Sequence, residues 1–348
     1  MKEIYVLADY LNRFETKVPS TPYRSGFDKD ILNKEFEILG YKCVFLNYSE
    51  IDFKEIDFKN KYVIYTSIED SGLYYKDFIE DILWGIKIQG GILLPSLEMQ
   101  RAHHNKVFME ILRAINGIDN NIHSRYFGSI KELIKNSGSF QYPIVLKSAS
   151  GSGSKGVKLV NTEKELQKKA KIISKVNLPL PHIKEYLLLF KRYLQTKRLF
   201  KIESIYRRKF ITQNFIPQLD HDFKILIYGD KYYILKRNTK KNDFRASGSG
   251  IFEFVNNQDI IPVELLNYSK LIYNKINAPN LSIDVAYNDE GFYLIEFQAV
   301  SFGTVTQTGS LSYYLFEGDS WIKKEEVLLL EKVYAQSINL YIKKNYGS

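Results

Sequence analysis

The chain has 348 residues, 45% hydrophobic and 26% charged, with 9 prolines, one cysteine and a net charge of +9. This admits a sizeable core in two or three domains of roughly 100–200 residues each and excludes wholesale disorder. The lone Cys43 excludes a disulfide framework and a thiolate-ligated zinc site, and no apolar run approaches the ~18 residues of a membrane span.

In chain order, "KEIYVLAD" and "KCVFLNY" read as buried strands around the helical "DKDILNKEFEILG", where Ile31, Leu32, Phe36 and Leu39 share a face. Cys43 is then plain core. The start of the chain is too short and too charged for a signal peptide, so a soluble cytoplasmic protein is expected. "KYVIYTS" is a further strand, "YKDFIEDILWGIKIQ" a helix and "GGILLPS" a short strand. This alternation predicts an α/β domain with a mostly parallel sheet over residues 1–100. "RAHHNKVFMEILRAI" reads as one helix leading into the next region, with His103 and His104 pointing in different directions and incidental.

From about residue 125 strand-like runs follow one another: "PIVLKS", "VKLVN", "FITQNFI", "DFKILIYGDKYYILKRN" and "LSIDVAYNDEGFYLIEFQ". "YGDKYY" and "YNDEGF" are tight hairpin turns. Helices are expected in "TEKELQKKAKIISKV", in "PVELLNYSKLIYNKI" and, at the end of the chain, in "KEEVLLLEKVYAQSINLYIKKN". The result is an α+β arrangement of antiparallel sheets with packed helices.

The stretch "YPIVLKSASGSGSKGVKLV" matches GxGxxG at Gly151, Gly153 and Gly156. A dinucleotide site needs a helix straight after the glycines, but here a second β-like run follows. A Walker A loop fails because no GK[ST] closes it. What remains is a glycine-rich hairpin that either folds over a polyphosphate with its backbone N–H groups or is a surface hairpin without a ligand. Lys147, at the end of the incoming strand, favours the former.

Asp284 and Glu296 fall on paired strands joined by the "NDEG" turn, and Gln298 shares a face with Glu296. Ile283, Val285, Ile295 and Phe297 are assigned to the opposite face. Two carboxylates and an amide oxygen suit Mg²⁺, although an ordinary polar sheet face reads the same way. Arg245, beside another Gly/Ser run, would suit an anionic intermediate.

In this order the pieces resemble the ATP-grasp superfamily of carboxylate–amine ligases. The nearest likeness is to the branch that adds glutamate to ribosomal protein tails, with D-alanine–D-alanine ligase and glutathione synthetase more distant. The likeness runs from about residue 100 to about residue 310. It implies an N-terminal α/β domain over residues 1–100, a linker helix and central subdomain with the flap over 101–212, and a C-terminal subdomain with the metal site over 213–348, the two ATP-grasp parts clamping ATP. Lys106 and Lys147 resemble the phosphate-contacting lysines. The flap gives Ser148, Ser150, Gly151, Ser152, Gly153, Ser154 and Gly156 to the nucleotide set. Gln213, Asn214, Phe215 and Ile216 resemble the strand whose backbone pairs with adenine, with Asn214 where the family has Glu. Asp222 matches the acidic residue near the ribose, followed by Lys224 where Arg is usual, and Lys236 joins the nucleotide set. Arg245 and Ser247 match the Arg and Asn beside the reacting phosphate. Asp284, Glu296 and Gln298 match the metal ligands, with Gln in place of Asn.

The resemblance implies ATP and two Mg²⁺ ions, with Mn²⁺ able to substitute. ATP would phosphorylate a carboxylate to an acyl phosphate, and an amine would displace the phosphate, with Lys147 and Arg245 as catalytic residues. The partners would be a small-molecule carboxylate and an amine from an amino acid, a sugar or a peptide tail; the reading allows a homodimer. Alternatives are an ATP-binding module without chemistry, a phosphotransferase and a thioester-forming ligase. The basic, aromatic segment over residues 190–210 is a solvated face, an anionic-substrate surface or, less in keeping with the rest, a nucleic-acid contact.

Overall fold

The computed structural model describes residues 1–17, 25–68, 72–118, 122–151, 156–176, 180–198, 204–241, 243–255 and 261–347. Strands β1 (Lys2–Ala8), β2 (Tyr41–Asn47), β3 (Tyr62–Tyr65) and β4 (Ile92–Leu94) form a parallel sheet in the order β2-β1-β3-β4. Helices α1 (Lys29–Ile38) and α2 (Tyr74–Ile88) make the crossovers, as the 2-then-3.6 periodicity predicts. Asp28 caps α1 by accepting from the N–H groups of Asp30 and Ile31.

The single helix expected near residue 100 is two, α3 (Leu97–Ala102) and α4 (Lys106–Ile115). His104 between them takes a left-handed φ of 53°, and Asn105 Oδ1 accepts from Phe108 N at 3.3 Å. An interior helix tolerates neither, so the chain stops and restarts.

Next come β5 (Ser124–Phe127), α5 (Ile130–Lys135), β6 (Ile144–Ser148), β7 (Val157–Val160), α6 (Glu163–Ser174), α7 (Leu180–Thr196) and β8 (Phe210–Asn214). The strands pair antiparallel in the order β5-β8-β6-β7. One face of this sheet, with Ile144, Leu146 and Phe210, packs with Ile130, Leu133, Leu166 and Ala170 from α5 and α6.

The largest sheet holds β9 (His221–Tyr228), β10 (Lys231–Asn238), β11 (Phe252–Phe254), β12 (Asn280–Asn288), β13 (Gly291–Gln298), β14 (Ser312–Glu317) and β15 (Ser320–Glu325). Its order is β13-β12-β9-β10-β14-β15, with β11 also on β10. Helices α8 (Val263–Ile276), α9 (Val305–Gly309) and α10 (Leu330–Tyr346) accompany it. The closing helix therefore starts later than expected, because "SYYLFEGDSWIKKE" is a hairpin. Gly318 and Asp319 have φ of 56° and 68°, the left-handed pair that a two-residue turn requires.

The chain divides into two compact units, one of Met1–His103, Ile111–Asn121 and Gln218–Ser348, the other of His104–Glu110 and Ile122–Pro217. The expected segments 1–100 and 213–348 thus lie almost entirely in the same unit. One core explains why: Ile4, Val6, Leu32 and Phe36 pack with Leu226, Tyr233, Val333, Tyr334, Ile338 and Ile342.

A buried carboxylate fastens that core. Glu331, fully buried on α10, accepts from Lys17 Nζ at 2.7 Å and from the backbone N of Asp28 at 2.9 Å. Glu331→Ala strands both donors and is expected to cost about 3 kcal/mol of unfolding free energy, read from urea denaturation.

Candidate functional site

In the second unit the α4 N-terminus is tied to the start of the flap. Lys106 is buried; its backbone N donates to Ala149 O at 2.8 Å and its Nζ to Gly151 O at 3.1 Å. Gly151 has φ 117°, a conformation that a side chain would strain. Gly156 closes the hairpin against Ser148, whose N donates to Gly156 O at 3.1 Å. A Cβ on Gly156 would stand 1.9 Å from Ser148 Oγ, which itself donates to Ser150 O at 2.7 Å. Ser152, Gly153 and Ser154 lie outside the described residues.

Lys147, buried on β6, pairs with Ile211, and Val145 with Gln213. Alternation puts Lys147 and Gln213 on the sheet face away from α5 and α6. The Gln213 side chain is buried in a network: its Nε2 donates to Glu110 Oε1 at 3.2 Å and Ser124 Oγ at 3.0 Å, and Ser124 Oγ donates to Glu110 Oε2 at 2.6 Å. Asn214 Oδ1 accepts from His123 N at 2.6 Å. Phe215 and Ile216 follow β8 rather than belonging to it.

In the first unit the pairing gathers charge on one face of the large sheet. Arg237 lies opposite Asp222, and Asp284 opposite both Lys224 and Glu296. Gln298 lies opposite Ser282, two residues from Asp284 and so on the same face. Arg237 grips Asp222 in a fork, Nε to Oδ1 at 2.6 Å and Nη2 to Oδ2 at 2.9 Å, and its Nη2 also reaches Asp284 Oδ2 at 2.9 Å. Lys224 Nζ donates to Ser282 Oγ at 2.9 Å and stands 3.6 Å from Asp284 Oδ1.

A β-bulge makes this face. Counted back from the Asn288–Gly291 turn, Asp284 would oppose Ile295 and Glu296 would face the other way. The register instead shifts between Asp284 and Val285, leaving Ile295 unpaired, with its carbonyl accepting from Arg113 Nη2 at 3.4 Å. Leu294, not Ile295, is therefore the residue opposite Val285, which corrects the expected assignment of Ile295 to the apolar face.

Burial pushes the Asp222 carboxyl up to about 6, with the Asp284 charge adding to burial and Arg237 opposing it. Burial also opposes ionisation of Asp284, but Arg237 and Lys224 outweigh it and hold that carboxyl below the usual range. Arg237 was missed from the sequence, yet the two-residue Gly229–Asp230 turn places it opposite Asp222 by counting.

The donors here fit a divalent cation. Asp284 Oδ1 is buried and accepts no hydrogen bond among the described residues. No cluster of three His, Cys, Asp or Glu side chains suited to a metal occurs among them, so a cation on this face would use Asp284, Glu296 and the Gln298 amide. Hard oxygens of this kind suit Mg²⁺ or Mn²⁺.

Three expected residues remain. Lys236 lies opposite Phe223 on the other side of the sheet, 3.6 Å from Glu253 Oε1. Arg245 makes a fork to Asp243, with Nε to Oδ1 at 2.9 Å and Nη2 to Oδ2 at 2.7 Å. Ser247 follows two residues on, half-buried and flanked by Ala246 and Gly248, whose φ is 80°.

Residues 107–203 match the family model of the carbamoyl-phosphate synthase L chain ATP-binding domain. Comparison with curated protein sequences gives no match. Among solved structures, a RimK domain ATP-grasp protein from Sphaerobacter thermophilus is similar at 11% identity, with 97% of this chain and 99% of that chain covered and a TM-score of 0.50. D-cycloserine synthetase DcsG is similar at 10% identity, 97% and 98% coverage and a TM-score of 0.51. So is the N5-carboxyaminoimidazole synthetase of Staphylococcus aureus, at 10% identity, 97% and 77% coverage and a TM-score of 0.51. The chain has the ATP-grasp fold.

Two tests follow from the charged face. The folded state keeps on Asp222 a proton that the unfolded chain, near 3.8, has already shed, so stability falls as pH rises from about 4 to about 6. Asp222→Asn should remove that fall, measured by denaturant titration at pH 4.5 and 7. Arg237→Met leaves two buried carboxylates facing each other and should cost about 3–5 kcal/mol at pH 7.

Proposed function

We propose that this protein is an ATP-dependent ligase that activates a carboxylate as an acyl phosphate and joins it to an amine. The observation that carries the reading is the placement of Asp284, Glu296 and Gln298 on one sheet face, with Asp284 held by Arg237 and Lys224, in an ATP-grasp fold. That D-cycloserine synthetase and an N5-carboxyaminoimidazole synthetase have similar folds supports it.

In this reading Asp284, Glu296 and Gln298 hold one or two divalent ions. Bound there, the metal supplies charge neutralisation at the phosphates. Lys106 and Lys147 hold phosphate oxygens by point charge. The flap residues Ser150, Gly151 and Gly156 turn backbone N–H groups toward them, with Ser148 adding its hydroxyl, and together they keep water from the reactive anhydride. The β8 end at Gln213 and Asn214 offers main-chain groups to the base, and Asp222 serves the ribose side.

Arg245, released from Asp243, neutralises the phosphate that the substrate carboxylate attacks. The carboxylate oxygen attacks the terminal phosphorus of ATP and ADP leaves. The amine nitrogen then attacks the acyl carbon, and inorganic phosphate leaves with the C–O bond electrons. Positioning and charge do the work, and no nucleophilic side chain is needed.

ADP release with Mg²⁺ and a panel of carboxylates tests this. Wild type is expected to release ADP only with its carboxylate, and added hydroxylamine is expected to trap the acyl phosphate as a hydroxamate. Glu296→Ala should lower the rate at least about a hundredfold, as loss of a charge-stabilising group does. A stable phosphorylated product with no amine consumed would make it a phosphotransferase. Nucleotide binding without turnover by any carboxylate would leave only a binding module.

A further inference from the structure

Helix α7 presents an apolar stripe that is exposed among the described residues. Ile183, Leu187, Phe190 and Leu194 recur at helical spacing and are 45%, 64%, 58% and 51% exposed. Tyr186 and Leu189, half-buried, lie at one border of this stripe. Lys184 and Lys191, both exposed, lie at the other. Arg192 stands behind them, and Lys197 and Arg198 follow the last turn, all exposed. Glu185 is the one acidic side chain described on the helix, and it sits away from the stripe. Leu188, 61% exposed, lies outside it among the polar residues.

We propose that α7 docks in the plane of an anionic phospholipid surface, with the Ile183–Leu187–Phe190–Leu194 stripe below the headgroups. Exposed leucines and a phenylalanine on one face, with lysines and arginines on the other, are the composition of an interfacial helix. Lys184 and Lys191 can lay their methylenes along the apolar boundary and keep their ammonium groups at the phosphates. At 17 residues the helix is about 25 Å long, a docking length rather than a spanning one.

Charge chooses among occupants. A second copy would bring two sets of lysines and arginines together. An acidic peptide would match the lysines but leave the apolar stripe in water, whereas a bilayer takes the whole stripe at once. The +9 net charge adds long-range attraction to the same anionic surface. The proposal is independent of the ligase reading, since it uses no nucleotide.

Flotation of the full chain with vesicles tests it, comparing phosphatidylcholine alone with an equimolar phosphatidylcholine–phosphatidylglycerol mixture. The protein should float with the anionic vesicles, stay behind with the neutral ones and dissociate as salt rises. Lys184→Gln/Lys191→Gln should weaken binding about thirtyfold, each cation near the surface being worth about 1 kcal/mol. Leu187→Ser/Phe190→Ser should weaken it at least about tenfold. All four positions are solvent-exposed, so unchanged circular dichroism and melting should accompany the loss. No flotation, equal flotation with neutral vesicles, or variants that float like wild type would overturn the proposal. So would a dimer that Leu187→Ser/Phe190→Ser dissociates, or a polyglutamate peptide that binds α7 in preference to vesicles.

Discussion

Arg237 lies between Asp222 and Asp284, three charges on adjoining strands, each side chain almost out of solvent. Either carboxylate buried alone would carry a heavy desolvation penalty, and the guanidinium, with Lys224 beside it, brings the group close to neutrality. Because Arg237 spends its fork on Asp222 and only Nη2 on Asp284, one Asp284 oxygen is left without a donor. The same contact that makes the buried charges tolerable thus leaves Asp284 Oδ1 facing the Lys224 ammonium at 3.6 Å. A cation arriving there meets a carboxylate already oriented and held ionised.

The second unit solves a different problem with a hydrogen-bond network. Gln213, Ser124 and Glu110 satisfy one another inside it, which fixes the β8 end and ties it to α4. Lys106 is fixed at the other end of the same idea, through the main chain of the flap it would serve. Positions expected to touch a nucleotide are therefore set by hydrogen bonds made before any ligand arrives.

Much of the fold was legible because hydrophobic period and turn chemistry agreed: the β1–α1–β2 unit, α6, α8 and the hairpins at Gly229 and Asp289 follow from local pattern. Where reading failed, a single residue had overruled the pattern. Asn105 and left-handed His104 broke a continuous helical periodicity, and the end of the hairpin turned at Gly318–Asp319 took up Lys324 and Glu325, the first residues of an apparent helix. In the charged face, the carboxylate identities were readable but their neutralisation was not. Arg237 required counting across a hairpin. The meeting of Asp284 with Glu296 required a bulge that no spacing rule announces.

The shared core of the first unit has a consequence for synthesis. Ile4 and Val6 reach the ribosome exit roughly 330 residues before Val333 and Ile338, which at about 5–20 residues per second is about 16–66 s. A parallel sheet made early must hold its apolar face unpaired for that interval, waiting for the helix that seals it. Translation speed and holding chaperones, rather than final stability alone, then govern the yield of this protein. A swap of rare for common codons between the first sheet and α10 would change how much chain survives the wait, without altering a single residue.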